Sequence, residues 1–160
     1  NLGQVKRNGD SLDDYADYLG AQVDIQSGHA AEAYALLDRF AARYPDSIFA
    51  ATAPVLLAQA HLQQSDAPGA LLVLQPLANT PQSQQADFRY TLARAYQMAG
   101  DTAHAIPILE DIYTTQPLSY EATRAAAQLR AMGAPLSVSL RKAYADGLFN
   151  AKRYSDAGAE

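Results

Sequence analysis

The sequence predicts an all-α protein, a right-handed superhelix (solenoid) built from antiparallel helical hairpins. Three observations carry that prediction. Ala and Leu, both strong helix formers, dominate an apolar content of 49%, and no run of β-branched residues long enough to seed a sheet is present. Turn residues recur at a nearly constant spacing. Behind each turn the same order of small and large apolar residues returns.

The turn residues are Gly28, Ser65 and Gly100, spaced 37 and 35 apart. Five residues after each stands an alanine (Ala33, Ala70, Ala105), and four further on a leucine (Leu37, Leu74, Leu109). Three beyond that is an apolar residue (Phe40, Leu77, Ile112), and then a proline (Pro45, Pro81, Pro117). Seven residues before each turn sits another alanine: Ala21, Ala58, Ala93. Each position has a physical task. The turn residue takes left-handed backbone angles at a helix end. The alanine lets the second helix lie close against the first. The leucine and its i+3 neighbour share the buried face. The proline stops one hairpin before the next begins. Over residues 12–117 this order resembles the tetratricopeptide (TPR) repeat, whose period is about 34 residues. It lacks the aromatic residue that the repeat carries near the start of each first helix.

Taken in order, helices are expected at about 12–26, 29–44, 47–64, 67–79, 83–99, 102–115, 119–132 and 137–150, with another opening near 153. Asp46 and Asp101 are expected N-caps, and Ser11 with Asp14 reads as a variant capping box. The helix over 29–44 has the clearest apolar stripe, formed by Ala33, Leu36, Leu37, Phe40 and Tyr44. The whole chain, 1–160, reads as one helical-repeat domain with repeats at about 12–45, 46–81 and 82–117, and partial repeats at 118–133 and 137–160. The code breaks after Pro117: Gly133 follows Gly100 by 33 residues, yet no second helix with the Ala/Leu spacing follows it. Lys152 and Ala157 then restore the turn-to-alanine step of five. A half-hairpin leaves an apolar face uncovered, so the expectation is a piece of a longer solenoid.

Composition narrows the function. With 12 basic against 17 acidic residues, a net charge of −5 and basic residues scattered singly or in pairs, nucleic acid is not an expected partner. The chain has no cysteine, which removes disulfides, thiolate metal sites and thiol nucleophiles. No apolar run approaches the ~18 residues of a membrane span, and residues 1–10 do not read as a signal peptide. His29, His61 and His104 have no second histidine three or four residues away and read as solvated surface residues. There is no GxSxG motif and no Gly-rich phosphate loop. Asp13, Asp14 and Asp17 at one helix start, and Glu121 at another, read as dipole-stabilising acids. No catalytic residue, metal or cofactor is therefore expected.

The surface that remains is the one lined by the first helix of each hairpin. Counting from the turns places Tyr15, Tyr18 and Gln22 there in the first repeat, and Gln59 and Gln63 in the second. Tyr90, Arg94 and Gln97 follow in the third, then Tyr120 and Arg130. Tyr, Gln and Arg stack and hydrogen-bond, which suits a glycan or an extended peptide. Packing of the tyrosines between repeats is the plainer reading of the same pattern.

The segments DYADYLGAQ, RYPDS, LSYEA with MGAPL, and FNAKRY resemble the N-terminal superhelical region of bacterial soluble lytic murein transglycosylases. That resemblance spans most of residues 11–160. It implies a periplasmic protein in which an α-superhelix precedes a lysozyme-like catalytic domain in the same parent chain. The Glu-Ser and Gly-Leu-Met-Gln motifs of that catalytic domain do not occur here, and Glu121 is followed by Ala122, so no catalytic residue carries over. The implied role is the non-catalytic scaffold of an enzyme that cleaves glycan strands, with the peptidoglycan strand as its partner. A stand-alone TPR adaptor, binding a peptide or protein partner in the cell envelope, is the competing expectation.

Overall fold

The computed structural model describes residues 10–158, and no strand occurs among them. Helices α1 (Asp10–Ser27), α2 (Ala30–Leu37), α3 (Phe40–Arg43), α4 (Ala53–Gln63) and α5 (Ala67–Leu74) form one compact unit, which ends at Pro76. Helices α6 (Ala86–Met98), α7 (Thr102–Thr115), α8 (Tyr120–Ala131), α9 (Val138–Asn150) and α10 (Tyr154–Ala157) form the second, which begins at Leu77.

The turns that join these helices are chemically alike. At Gly28, the turn N–H bonds the Ile25 carbonyl, and the next N–H, of His29, reaches back to Asp24. The same double closure recurs at Ser65 (to Leu62, with Asp66 to His61) and at Gly100 (to Gln97, with Asp101 to Tyr96). It returns at Gly133 (to Arg130, with Ala134 to Leu129) and at Lys152 (to Phe149, with Arg153 to Leu148). Each is a Schellman closure, which satisfies carbonyls that a helix end leaves open. All five central residues have positive φ, and two of them, Ser65 at 61° and Lys152 at 62°, are not glycine. Asp66 and Asp101 then cap the next helix, accepting from the N–H groups of Gly69 and His104.

Behind the turns the recurring small residues are fully buried: Ala21, Ala58 and Ala93 before them, Ala33, Ala70 and Ala105 after them. In the first unit Ala21, Ala33, Leu37, Phe40, Leu56 and Ala60 share one core, with Tyr18, Leu36 and Phe49 packed against it. In the second, Tyr90, Ala93, Leu109, Ile112, Ala125 and Leu129 form the equivalent cluster. There α9 lies on α7, where Tyr144 stacks flat on Tyr113 with centroids 4.3 Å apart. Gly147 of α9 faces Pro117 so closely that an added Cβ would sit 2.8 Å from its Cγ.

Several expected boundaries need correction. The helix expected over 29–44 is two helices: Arg39 turns left-handed at φ 54°, and the chain restarts at Phe40. The break is held from outside. The Arg43 guanidinium donates to the Leu36 carbonyl and, at 2.8 Å, to Asp17 of α1, which also accepts from the Tyr44 hydroxyl at 2.8 Å. That bond to a carboxylate holds the Tyr44 phenol above its ordinary pKa. The helix expected from 47 starts at Ala53. Pro54 in its first turn has no N–H to give to Ala50, and the Ser47 hydroxyl instead accepts from Phe49 N–H in a local turn. Asp46 is therefore not an N-cap; Thr52 occupies that place, its hydroxyl turned back to the Phe49 carbonyl and not capping the helix. The helix expected over 67–79 ends at Leu74, where Pro76 tightens the chain into a 3-10 turn, Gln75–Leu77. The Ser11 side chain lies outside the described residues, and Asp14 bonds the adjacent Tyr15 N–H.

Candidate functional site

In the second unit, α6 and α8 set two polar rows side by side. Tyr90, Arg94 and Gln97 follow at i, i+4 and i+7 on α6; Tyr120, Arg124 and Gln128 follow at i, i+4 and i+8 on α8. The rows interlock. The Arg124 guanidinium lies 4.1 Å over the Tyr90 ring and 5.5 Å from the Tyr120 ring. Arg94 Nη1 donates to Gln97 Oε1 at 3.0 Å and to Gln128 Oε1 at 2.9 Å. Residues 34 apart thus meet twice, one repeat length on. Both acceptors of Arg94 are neutral amides, so its bonds fix the guanidinium without cancelling its charge. Arg124 rests on π-faces, which likewise hold a cation without neutralising it.

Of the residues expected on this surface, Tyr90 is 7% exposed and belongs to the core, with Arg124 across its ring. Tyr120 is 73% exposed and offers a ring face. Arg130 is exposed at the end of α8, two residues past Gln128 and therefore off the row, on another side of the helix. Sequence counting missed Arg124 and Gln128. The signal was available: Arg124 stands 34 residues after Tyr90 and four after Tyr120, and Gln128 stands 34 after Arg94.

In the first unit the expected residues serve the packing more than a ligand. Tyr18 stacks on Phe49 at 4.1 Å, and Tyr15 meets the edge of the same ring at 4.8 Å. Gln63 Nε2 donates to the Ile25 carbonyl at 2.7 Å, bridging α4 to the end of α1. Gln22 and Gln59 are half-buried.

His61 is not the solvated residue expected. Its side chain is 16% exposed; Nδ1 lies 2.7 Å from Asp66 Oδ2, and the ring meets Tyr34 edge-on. His104 is exposed and pairs with Asp101 at 2.6 Å. Among the described residues no cluster of three or more His, Asp or Glu is placed to hold a metal ion, and no helix is long and apolar enough to cross a membrane.

No family model matches the chain, and neither a curated protein nor a solved structure matches it.

Proposed function

We propose that the chain is a non-catalytic helical-repeat scaffold, wound as a right-handed TPR-like superhelix. Its first-helix surface on α6 and α8 makes weak contact with a peptidoglycan strand or its stem peptide. The observation supporting this is the pair of arginines held by neutral partners beside an exposed tyrosine ring. A muramyl peptide offers what that set accepts: C–H sugar faces for Tyr120, carboxylates for Arg94 and Arg124, and amides for Gln97 and Gln128. An open surface desolvates little, so affinity is expected near 1 mM, about −4 kcal/mol. The sequence resemblance extends the proposal to the scaffold of a periplasmic lytic transglycosylase. Its catalytic domain would lie in the same parent chain.

Co-sedimentation with purified murein sacculi tests the reading. The 160-residue chain is expected to pellet with sacculi in low salt and release no anhydro-muropeptides. The double variant Arg94→Ala/Arg124→Ala should stay in the supernatant while keeping its helical circular dichroism. Equal pelleting of variant and parent removes the glycan contact. Retention by an extended peptide in place of sacculi would move the reading to a peptide adaptor.

A further inference from the structure

A guanidinium offers N–H donors and no acceptor, so an amide bonded to it turns its oxygen toward it. Arg94 makes both its bonds through Nη1, to Gln97 Oε1 and Gln128 Oε1. Its other edge, Nε with Nη2, makes no bond among the described residues, and that edge is one with which arginine grips a carboxylate in two parallel bonds. Arg124 is exposed and lies on the Tyr90 and Tyr120 rings, which leaves its own donors open. Neither arginine forms an ion pair among the described residues. Arg89 of the same α6 does, with Asp111. Asp87 and Glu121, the acids of α6 and α8, stand in the first turns and pair with neither.

The hydrogen bonding of this surface is therefore one-sided. With their oxygens engaged by Arg94, Gln97 and Gln128 have N–H groups to offer, and the two guanidinium groups add more donors. The Tyr120 hydroxyl can give or take. The donors are also spaced. Arg124 meets Tyr90 and Gln128 meets Arg94, so α6 and α8 run in parallel register. The two guanidinium groups are thus offset by one turn, about 6 Å along the axes. Residues two apart in an extended peptide are about 7 Å apart, so two carboxylates of one short peptide reach both arginines.

On the stem-peptide reading of α6 and α8, on which this rests, we propose that the surface selects its ligand by charge state. It takes a stem peptide through two ionised carboxylates, one on the open edge of Arg94 and one on Arg124, and rejects the same peptide with those groups amidated. An amide brings N–H groups against a surface made of donors and leaves both sides unpaired. The chain carries a net charge of −5, which repels an anion at long range. The preference therefore comes from these two guanidinium groups and fades as salt screens them.

NMR titration of the labelled 160-residue chain with three soluble fragments tests this. The fragments are a murein disaccharide peptide with its carboxylates free, the same fragment amidated, and the disaccharide without peptide. In low salt the free form is expected to bind about tenfold more tightly than the amidated one, the sum of two partly exposed ion pairs. The bare disaccharide should bind no better than the amidated form. Arg94→Gln/Arg124→Gln, neutral and still able to donate, should bind the free and amidated forms equally while keeping its circular dichroism. Equal binding of the two forms by the parent chain overturns the inference and leaves the stem-peptide reading standing. So does a bare disaccharide that binds as tightly as the free fragment, with the contact then made to the sugar. A preference that survives in the double variant overturns it too, because the arginines would not be its source. No binding of any fragment overturns the inference and the reading together.

Discussion

The second helices of the first and third hairpins answer one sequence code in opposite ways. In the first unit the helix breaks at Asp38–Arg39 with no proline or glycine at the break, while in the second unit α7 runs unbroken from Thr102 to Thr115 with Pro107 inside it. Yet Leu37 and Phe40 are as buried as their counterparts Leu109 and Ile112. The code therefore specifies which residues reach the core and leaves helix continuity to the surroundings. Asp17, holding Arg43 and Tyr44, anchors the restarted helix in the first hairpin. In α7 the Asp101 cap and the buried stripe of Ala105, Leu109, Ile112 and Tyr113 carry the helix past its proline.

If the two positions are equivalent, Leu37→Ala and Leu109→Ala should cost similar amounts, about 2–5 kcal/mol each in urea unfolding. A cost near zero for Leu37 would mean that the broken helix relaxes around the cavity and that the equivalence is only formal. Overpacking is the next largest effect. Ala105→Leu should cost about 1–3 kcal/mol, and Ala33→Leu the same, because both alanines are wholly buried at a helix crossing. A neutral Ala105→Leu would show that the crossing is looser than its burial implies.

A smaller change should go the other way. Arg39 holds a left-handed conformation that costs a side-chain residue about 1 kcal/mol, so Arg39→Gly should raise the thermal midpoint. At Pro107, where no left-handed residue is involved, a glycine should gain nothing by that route. A lowered midpoint for Arg39→Gly would mean that the guanidinium itself contributes, through Asp38 at 3.9 Å.

The smallest effect is electrostatic. The Gly69 N–H first, and His61 second, hold the Asp66 carboxyl below its ordinary value of 3.8. A depressed folded-state pKa gives stability that is present above the unfolded-state pKa and lost as pH falls through the folded one. Acid titration of stability should therefore show a shallow loss below about pH 4 that Asp66→Asn removes. An unchanged acid limb in that variant would put the loss elsewhere.

The turns and the buried alanines were legible because local chemistry sets them: a residue tolerating positive φ, then a side chain no larger than methyl. The start of α4 was legible too, in Pro54, and the apolar periodicity running through residues 47–64 hid it. The Arg39 break was not, because its causes lie 22 to 26 residues away on α1 or in the tertiary position of Arg43. At the candidate site, counting from the turns found Tyr90, Arg94 and Tyr120, but not that Tyr90 would be covered. Tyr90 packs with Leu109, Ile112, Ala125 and Leu129 and has Arg124 across its ring, contacts between helices that single-helix periodicity does not contain.

The claim that the α6–α8 rows form a contact surface is tested most directly by NMR titration of the isotopically labelled chain with soluble muropeptides. Saturable shifts are expected at the Arg94 and Arg124 guanidinium groups, the Gln97 and Gln128 side-chain amides and the Tyr120 ring, and in Arg94→Ala/Arg124→Ala the shifts of the amides and of the Tyr120 ring should vanish. Tyr90 should respond only through Arg124. Millimolar ligand that moves none of these signals, or moves the Tyr120 ring and the two amides equally in the double variant, would contradict the contact surface.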